Sequence, residues 1–525
     1  MPVLVPALLF LAALVLSSVT LRRTLDPFDE GLLLQAAARI ADGQWPYADF
    51  GWAYGPGQPL LNALVFELAE PTALAWRVTR ALADAGVAVL VWWLVREQGA
   101  GDRWALAGGA AAALTMAQPT TANPFPVALL CALAALACAA RGRAVPAGLL
   151  VAVAGFWRPD FGVAAAVAVI AVLALRGAGR GGVLRAVVAA LGAGVLLLAP
   201  FAVAAGPGEL VDALVLDSTR DGAAWRLPFP LVYDGPLRAG HLLEDGKDLL
   251  AYELPLVGVI GLALAAAVTL RGLSPQFRRD RGGTERGEAE RGRTERGGTD
   301  LGRRWAVPVG LLAIGLGGLA YVLGRADDLH QQPLLVAVCA LAAGLIPRAR
   351  RAPAIGLAVV LALIALAGAA NLASSVLRPP AGERLFLPGV PGILVAPAEA
   401  RALRALVRDV QRRVPRGEPI YVAPRRADVV TLTDPLIHFL VHRPNVLRDD
   451  AQVLNDPEVQ RAVVAALEAD PPRVVVRWRD PRSARPEPNA RGRPSGATAL
   501  DELLARRYRL AERYGAYDVL VRRGG

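Results

Sequence analysis

The stretch Asp26-Pro27-Phe28-Asp29-Glu30-Gly31 decides how the rest of this chain is read. It lies just past an apolar run, 2–21, and opens an amphipathic segment. An ionisable group at the edge of a bilayer marks a functional site by default. The competing reading is a pair of solvated first-turn residues favoured by the helix dipole. The surrounding chain decides between them.

The apolar surroundings are extensive. The 525 residues are 54% hydrophobic, with a mean hydropathy of +0.40. That is too apolar for a soluble enzyme of this length. Several runs approach the roughly 20 residues that cross about 30 Å of hydrocarbon. The spans expected after 2–21 are 78–95, 104–116, 124–140, 145–156, 161–175, 186–205, 250–270, 305–323, 332–346 and 354–377. That makes about eleven transmembrane helices. The first run has no basic segment before it and no small-residue cleavage site after it, so it reads as an anchor and not a leader. The class is an α-helical polytopic membrane protein of the cytoplasmic membrane, in contact with bilayer lipid over most of its length.

The net charge of +11 is nearly all arginine, Lys247 being the single lysine. The arginines are spread over loops and tail with no basic stripe interleaved with aromatics, so nucleic acid is excluded as a partner. Cys131, Cys138 and Cys339 sit inside apolar runs and read as small core residues. His438 and His442 stand four apart, a spacing commoner on an ordinary helix face than in a zinc site.

Arginine placement orients the chain. With the N-terminus cytoplasmic, the short loops at 96–103, 141–143, 176–185, 271–304 and 348–351 are inside and arginine-rich. Arg22 and Arg23 run against this locally. Asp29, Glu30, Asp49, the Arg158-Pro159-Asp160 turn and the Arg325-Ala326-Asp327-Asp328-Leu329-His330 turn then share the outer face. Residues 30–41 have the spacing of an interfacial helix. The segment 45–57 is aromatic and broken by proline and glycine. It reads either as a headgroup-level aromatic belt or as a sugar-stacking surface that includes Tyr54.

The sequence divides into a membrane domain, 1–378, and a soluble tail, 379–525. Within the first, 275–302 repeats Arg-Gly-Gly-Thr-Glu-Arg and is expected to be a disordered cytoplasmic linker. The tail alternates helices at 398–414, 435–442, 457–469 and 500–508 with strands at 419–423, 473–478 and 517–521. That pattern indicates a small extracytoplasmic α/β domain.

Taken in order, Asp29-Glu30, Trp45-Pro46-Tyr47-Ala48-Asp49-Phe50 with Gly55-Pro56-Gly57, Trp157-Arg158-Pro159-Asp160, Arg226-Leu227-Pro228-Phe229-Pro230 and Gly324 to His330 resemble the integral-membrane glycosyltransferases of the C-type fold. This group includes the protein mannosyltransferase-like (family 39) and aminoarabinose transferase-like enzymes. Asp434-Pro435-Leu436-Ile437-His438-Phe439-Leu440 is similar to uncharacterised bacterial members. The resemblance implies the C-type fold and transfer of a sugar from a polyprenyl-phosphate donor, on the outer face, to a glycan, glycolipid or protein acceptor. It implies Asp29, with Glu30 beside it, as the catalytic carboxylate. A divalent metal near these two residues is left open.

The residues suit that chemistry. Glycosyl transfer to a hydroxyl needs a carboxylate to take the acceptor proton. The departing phosphate needs positive charge, for which Arg158 and Arg325 are candidates, with His330 assisting. Asp49, Tyr54, Asp160 and Asp327 are candidate substrate contacts. Each has a structural rival, a turn or a local ion pair. A transporter or flippase of a lipid-linked or polar substrate is the alternative class. It would more often show repeated halves and charges at mid-membrane depth. A non-catalytic scaffold and a hydrolase of lipid-linked sugars are the others.

Overall fold

The computed structural model describes residues 4–117, 122–217, 226–227, 229, 238, 242–281, 288–327, 329–377, 382–429, 432–484 and 494–524. In order, the helices before the tail are α1 (Leu4–Ser18), α2 (Asp29–Ala41), α3 (Gly57–Leu68), α4 (Ala73–Glu97), α5 (Asp102–Met116), α6 (Phe125–Ala140), α7 (Ala144–Trp157), α8 (Pro159–Leu175), α9 (Gly179–Ala205), α10 (Pro207–Val211), α11 (Leu242–Arg281), α12 (Glu288–Gly324), α13 (Gln332–Leu345) and α14 (Arg351–Leu377). Each apolar segment expected to span overlaps one of them, with 2–21, 124–140 and 332–346 running past the ends of α1, α6 and α13 by one to three residues. Among the described residues, five stretches are long and apolar enough to cross a membrane: α4, α9, Tyr252–Ser274 of α11, Gly302–Gly324 of α12, and α14. The remaining apolar helices, α1, α6, α7, α8 and α13 with its continuation, are shorter.

The segment read as a disordered linker has helical backbone at 275–281 and 288–302. Arginine and glutamate favour a helix while Gly292, Gly297, Gly298 and Gly302 oppose it, so these stretches continue the flanking helices against part of their own composition. Residues 282–287 lie outside the described residues.

Helix α13 sits at the centre of the bundle, buried along its whole length, with α4, α5, α11, α12 and α14 around it. Small residues permit this close packing, which in lipid replaces the hydrophobic effect as the force between helices. A Cβ at Gly318 would come within 2.7 Å of the Leu334 backbone nitrogen. Helix α4 carries three buried charges, Arg77, Arg80 and Asp84. Arg80 Nε donates to Asp84 Oδ1 at 2.9 Å, one turn along, and its guanidinium lies 5.2 Å from the Phe125 ring centroid. A charge kept this deep requires such a partner.

The tail holds β1 (Glu383–Leu385), β2 (Ile393–Val395), α15 (Pro397–Arg413), β3 (Tyr421–Ala423), α16 (Leu436–Val441), α17 (Pro457–Ala469), β4 (Val474–Trp478), α18 (Ala499–Arg507), β5 (Tyr508–Tyr514) and β6 (Tyr517–Arg522). Strands β1 and β2 form an antiparallel hairpin. The other four make a sheet in the order β3-β4-β6-β5. Only the β3–β4 pair is parallel. Strand β4 alternates as a doubly covered strand should. Val474, Val476 and Trp478 join a core with Leu403, Leu406 and Val410 of α15. Val475 joins Leu467, Leu503 and Leu504 of α17 and α18 on the opposite face.

The first of those cores does not end at the tail. It takes in Leu33, Leu34, Ala36 and Ala37 of α2, and Leu436, Ile437, Phe439 and Leu440 of α16. Helix α16 therefore lies directly against α2. The Leu436 amide donates to the Pro27 carbonyl at 3.3 Å, and a Cβ at Gly31 would fall 2.3 Å from that same Leu436 nitrogen. Glycine is needed here for the approach of two backbones. Gly31→Ala is expected to loosen the tail by about 1–3 kcal/mol through overpacking, measurable as faster cleavage of the tail in limited proteolysis of the folded protein. Further out, Arg39 pairs with Asp450 at 3.1 Å. The Tyr517 hydroxyl donates to the buried Asp434 carboxylate at 2.7 Å, fastening α16 to the sheet.

Candidate active site

Three segments, far apart in sequence, meet at one end of the bundle. The first is the start of α2. Asp26 Oδ1 accepts from the Phe28 amide at 3.0 Å, a short aspartate turn that starts the helix. Asp29 and Glu30 then occupy its first turn. The second is the α7–α8 junction. Arg158 precedes a proline and is extended, φ −150° and ψ 114°, as a pre-proline residue must be. Pro159 and Asp160 open α8. The third is the turn between α12 and α13. Asp327 Oδ1 accepts from the amides of Leu329 at 3.0 Å and His330 at 2.8 Å, which folds the His330 ring back onto it. The His330 Nδ1 to Asp327 Oδ1 distance is 2.6 Å.

These segments face one another. Asp29 is within electrostatic reach of Arg325 and Asp327, and Tyr54 of Asp29, Arg158, Arg325 and Asp160. The Arg158 guanidinium is boxed by rings, 4.6 Å from the Tyr321 centroid, 5.0 Å from Tyr54 and 5.8 Å from Phe161. Its Nε and Nη2 donate to the two oxygens of Asp160 at 3.0 and 3.1 Å, and Nη1 to the Tyr321 hydroxyl at 3.3 Å. Tyr321 in turn packs against the His330 ring, centroids 4.4 Å apart and planes tilted by 43°. Arg325 Nε donates to Asp327 Oδ2 at 2.8 Å. The loop carrying Tyr54 is pressed onto α7, since a Cβ at Gly57 would meet the Trp157 ring at 2.4 Å.

The two adjacent carboxylates part company. Glu30 is fully buried. Its Oε1 accepts from Trp76 Nε1 at 2.7 Å and Arg77 Nε at 2.8 Å, and its Oε2 from Arg77 Nη2 at 2.7 Å. Arg77 also donates to the carbonyls of Leu21, Arg23 and Thr24. Glu30 is thus the anchor of an internal ion pair, turned away from the cluster. Asp29, half-buried, accepts no hydrogen bond at its carboxylate among the described residues. Burial pushes that carboxyl up to about 7, with Asp26 and Asp327 adding to the rise and Arg325 opposing it. For Asp327 burial acts upward as well, but the hydrogen bonds and charge of His330 and the charge of Arg325 outweigh it and hold the carboxyl down at about 2. One acid is poised near neutrality beside another that stays ionised.

Of the residues expected to share a site, the structure brings together Asp29, Tyr54, Arg158, Asp160, Arg325, Asp327 and His330. Asp49 stands apart: its Oδ2 accepts from the Trp45 amide at 2.7 Å, which closes the aromatic loop. Asp328 and Pro228 lie outside the described residues. The Glu30 carboxylate faces Trp76 and Arg77, away from Asp29. Among the described residues no group of three or more His, Cys, Asp or Glu is placed to hold a metal. His438 is buried and His442 ends α16 with φ +51°.

No family model matches the chain, and no curated protein matches it. Among solved structures, ArnT from Cupriavidus metallidurans bound to undecaprenyl phosphate aligns over 99% of this chain and 98% of its own, at 16% identity and TM-score 0.47. The apo state of the same protein aligns over 98% and 97%, at 16% identity and TM-score 0.41. The arabinosyltransferase EmbB from Mycobacterium smegmatis aligns over 71% of this chain and 41% of its own, at 16% identity and TM-score 0.33. All three fall below a TM-score of 0.5.

Two functional neighbours escape a reading of the sequence. Arg77 stands where the expected span at 78–95 has not yet begun, although an arginine opening an apolar helix is itself a signal. Tyr321, an apolar-looking residue late in α12, is marked by nothing until Arg158 is placed beside it.

Proposed function

We propose that this protein is a C-type-fold membrane glycosyltransferase. It moves a sugar from a polyprenyl-phosphate donor to an acceptor hydroxyl, with Asp29 as the base. The observation that carries the proposal is the meeting of Asp29 with Arg158, Arg325 and the Asp327–His330 pair at one end of an apolar bundle. Asp29 takes the proton of the acceptor hydroxyl as its oxygen bonds to the anomeric carbon. The bond from that carbon to the phosphate oxygen breaks, and the electron pair leaves with the phosphate. Arg158 and Arg325 supply the charge that stabilises it, since guanidinium matches phosphate in a fork. Tyr54 offers a face on which a sugar stacks. A donor with a lipid tail accounts for a polar cluster at the end of membrane helices: the tail stays in the bilayer while the head reacts. The positive-inside distribution supports a cytoplasmic N-terminus and an extracytoplasmic site.

The test is transfer from a panel of radiolabelled polyprenyl-phosphate sugars to envelope fractions, run as a pH series. A base must be deprotonated to act, so kcat/KM should rise with pH and level off above about 7, the value to which Asp29 is raised. Arg325→Gln removes the charge opposing that rise and should move the limb to higher pH. Asp26→Asn removes one supporting it and should move the limb lower. A limb that neither variant displaces would leave Asp29 without the role. No product from any donor would favour translocation of a lipid-linked substrate.

A further inference from the structure

The tail is fastened to the ends of two apolar helices through one small element, the β1–β2 hairpin. The Leu394 amide of β2 donates to the Arg22 carbonyl at 2.6 Å, and the Thr24 amide to the Leu394 carbonyl at 2.9 Å. Arg22 lies four residues past the end of α1, and β1 opens six residues past the end of α14. Leu377, the last residue of α14, is 79% exposed. The hairpin is therefore held at the level where apolar helices stop.

Its two faces differ. Leu385 is fully buried, while Arg384 and, just past β1, Phe386 point the other way. Phe386 is 67% exposed. A Cβ at Gly392 would lie 3.0 Å from Arg22 Nη1 and 3.8 Å from the Phe386 ring, so ring and guanidinium share one surface. Arg22 Nη1 also donates to the Pro391 carbonyl at 3.1 Å, which fixes the arginine on the hairpin. Beside it, the Ala73 amide donates to the Gly389 carbonyl at 2.7 Å. The helix leading into that point, α3, leaves Leu64 and Leu68 exposed.

We infer that the exposed face of this hairpin docks on the bilayer, with Phe386 in the interfacial layer and Arg22 and Arg384 on anionic headgroups. The inference rests on the chain spanning a membrane but not on the reaction it catalyses or on which side the site faces. An aromatic ring flanked by guanidiniums suits the headgroup boundary, where the ring is apolar and the charges stay wet. It also explains an arginine following the first span: Arg22 holds the hairpin and meets lipid, and so carries little topological information. A protein partner would need a broader apolar surface than one ring between two charges.

The test is site-directed spin labelling of the full chain in nanodiscs of phosphatidylcholine and phosphatidylglycerol. The background is Cys131→Ala, Cys138→Ala and Cys339→Ala. A nitroxide at Phe386→Cys is compared with one at Leu366→Cys, on the exposed apolar face of α14, and one at Glu458→Cys, exposed on α17. Docking predicts a label at 386 that oxygen reaches readily and that is several-fold less accessible to a nickel chelate than the label at 458. Equal nickel access at 386 and 458 overturns it. If Phe386→Cys does not fold, Arg384→Cys shares the face and gives the same readout. In nanodiscs of phosphatidylcholine alone, nickel access at 386 should rise, and an unchanged value removes the arginines from the proposal.

Discussion

Asp29→Asn is expected to lower transfer by about 10²–10⁴-fold, the usual contribution of a positioned general base, while the unfolding midpoint stays where it was. The separation follows from what the side chain touches. Its carboxylate anchors nothing: no hydrogen bond ends on it among the described residues, and its neighbours act on it through charge. Asparagine keeps the shape and replaces the basic carboxylate oxygen with an amide that does not take a proton near neutral pH. Burial already works against the charged form, so neutralising the group removes an unfavourable interaction and leaves stability intact or slightly improved. The measurement is initial rate of transfer alongside thermal unfolding of the same preparation. A variant that folds normally and transfers sugar at the original rate would sink the assignment.

The neighbouring carboxylate should behave in the opposite way. Glu30→Ala is expected to cost about 3–5 kcal/mol, the range for breaking a buried pair by removing one partner. The Arg77 guanidinium, with both side chains of the pair inaccessible to solvent, would lose the charge it faces. Its remaining contacts are the carbonyls of residues 21, 23 and 24. Replacing both partners with apolar residues sometimes restores such pairs. Here it should recover only part of the loss, because those three carbonyls would still lack their donor. Unfolding midpoints of Glu30→Ala, Arg77→Met and the double variant test this. If Glu30→Gln unfolds like the original protein yet fails to transfer, the division of labour between the adjacent carboxylates is wrong.

That division marks where the sequence stops being informative. Hydropathy located each apolar helix, because about 20 apolar residues leave few alternatives in lipid. The β4 strand and α15 were equally legible from β-branched content and helical spacing. The hairpin and β5 were not. Strands β1 and β2 are three residues each, and β5 reads Tyr-Arg-Leu-Ala-Glu-Arg-Tyr, a charged edge whose exposed positions hide its alternation. At the site, the order of Asp29, Arg158 and Arg325 along the chain pointed to a common end. Their meeting across the bundle depends on packing that no local pattern encodes. Asp29 and Glu30 look interchangeable in sequence; one helical step, about 100°, gives them different partners.

The contact between α2 and α16 has a consequence for how the protein is made. The backbone at Gly31 rests on Leu436, and Arg39 on Asp450, so the helix that begins at Asp29 is not complete until residues some 400 positions later have left the ribosome. At about 5–20 residues per second, the interval is on the order of 20–80 s. Through that time Leu33, Leu34 and Ala37 have no tail to cover them, and the bilayer surface is the nearest apolar phase. The nascent chain therefore resembles an unfinished membrane-surface segment for most of its synthesis, and a truncation anywhere before residue 436 leaves it in that state for good.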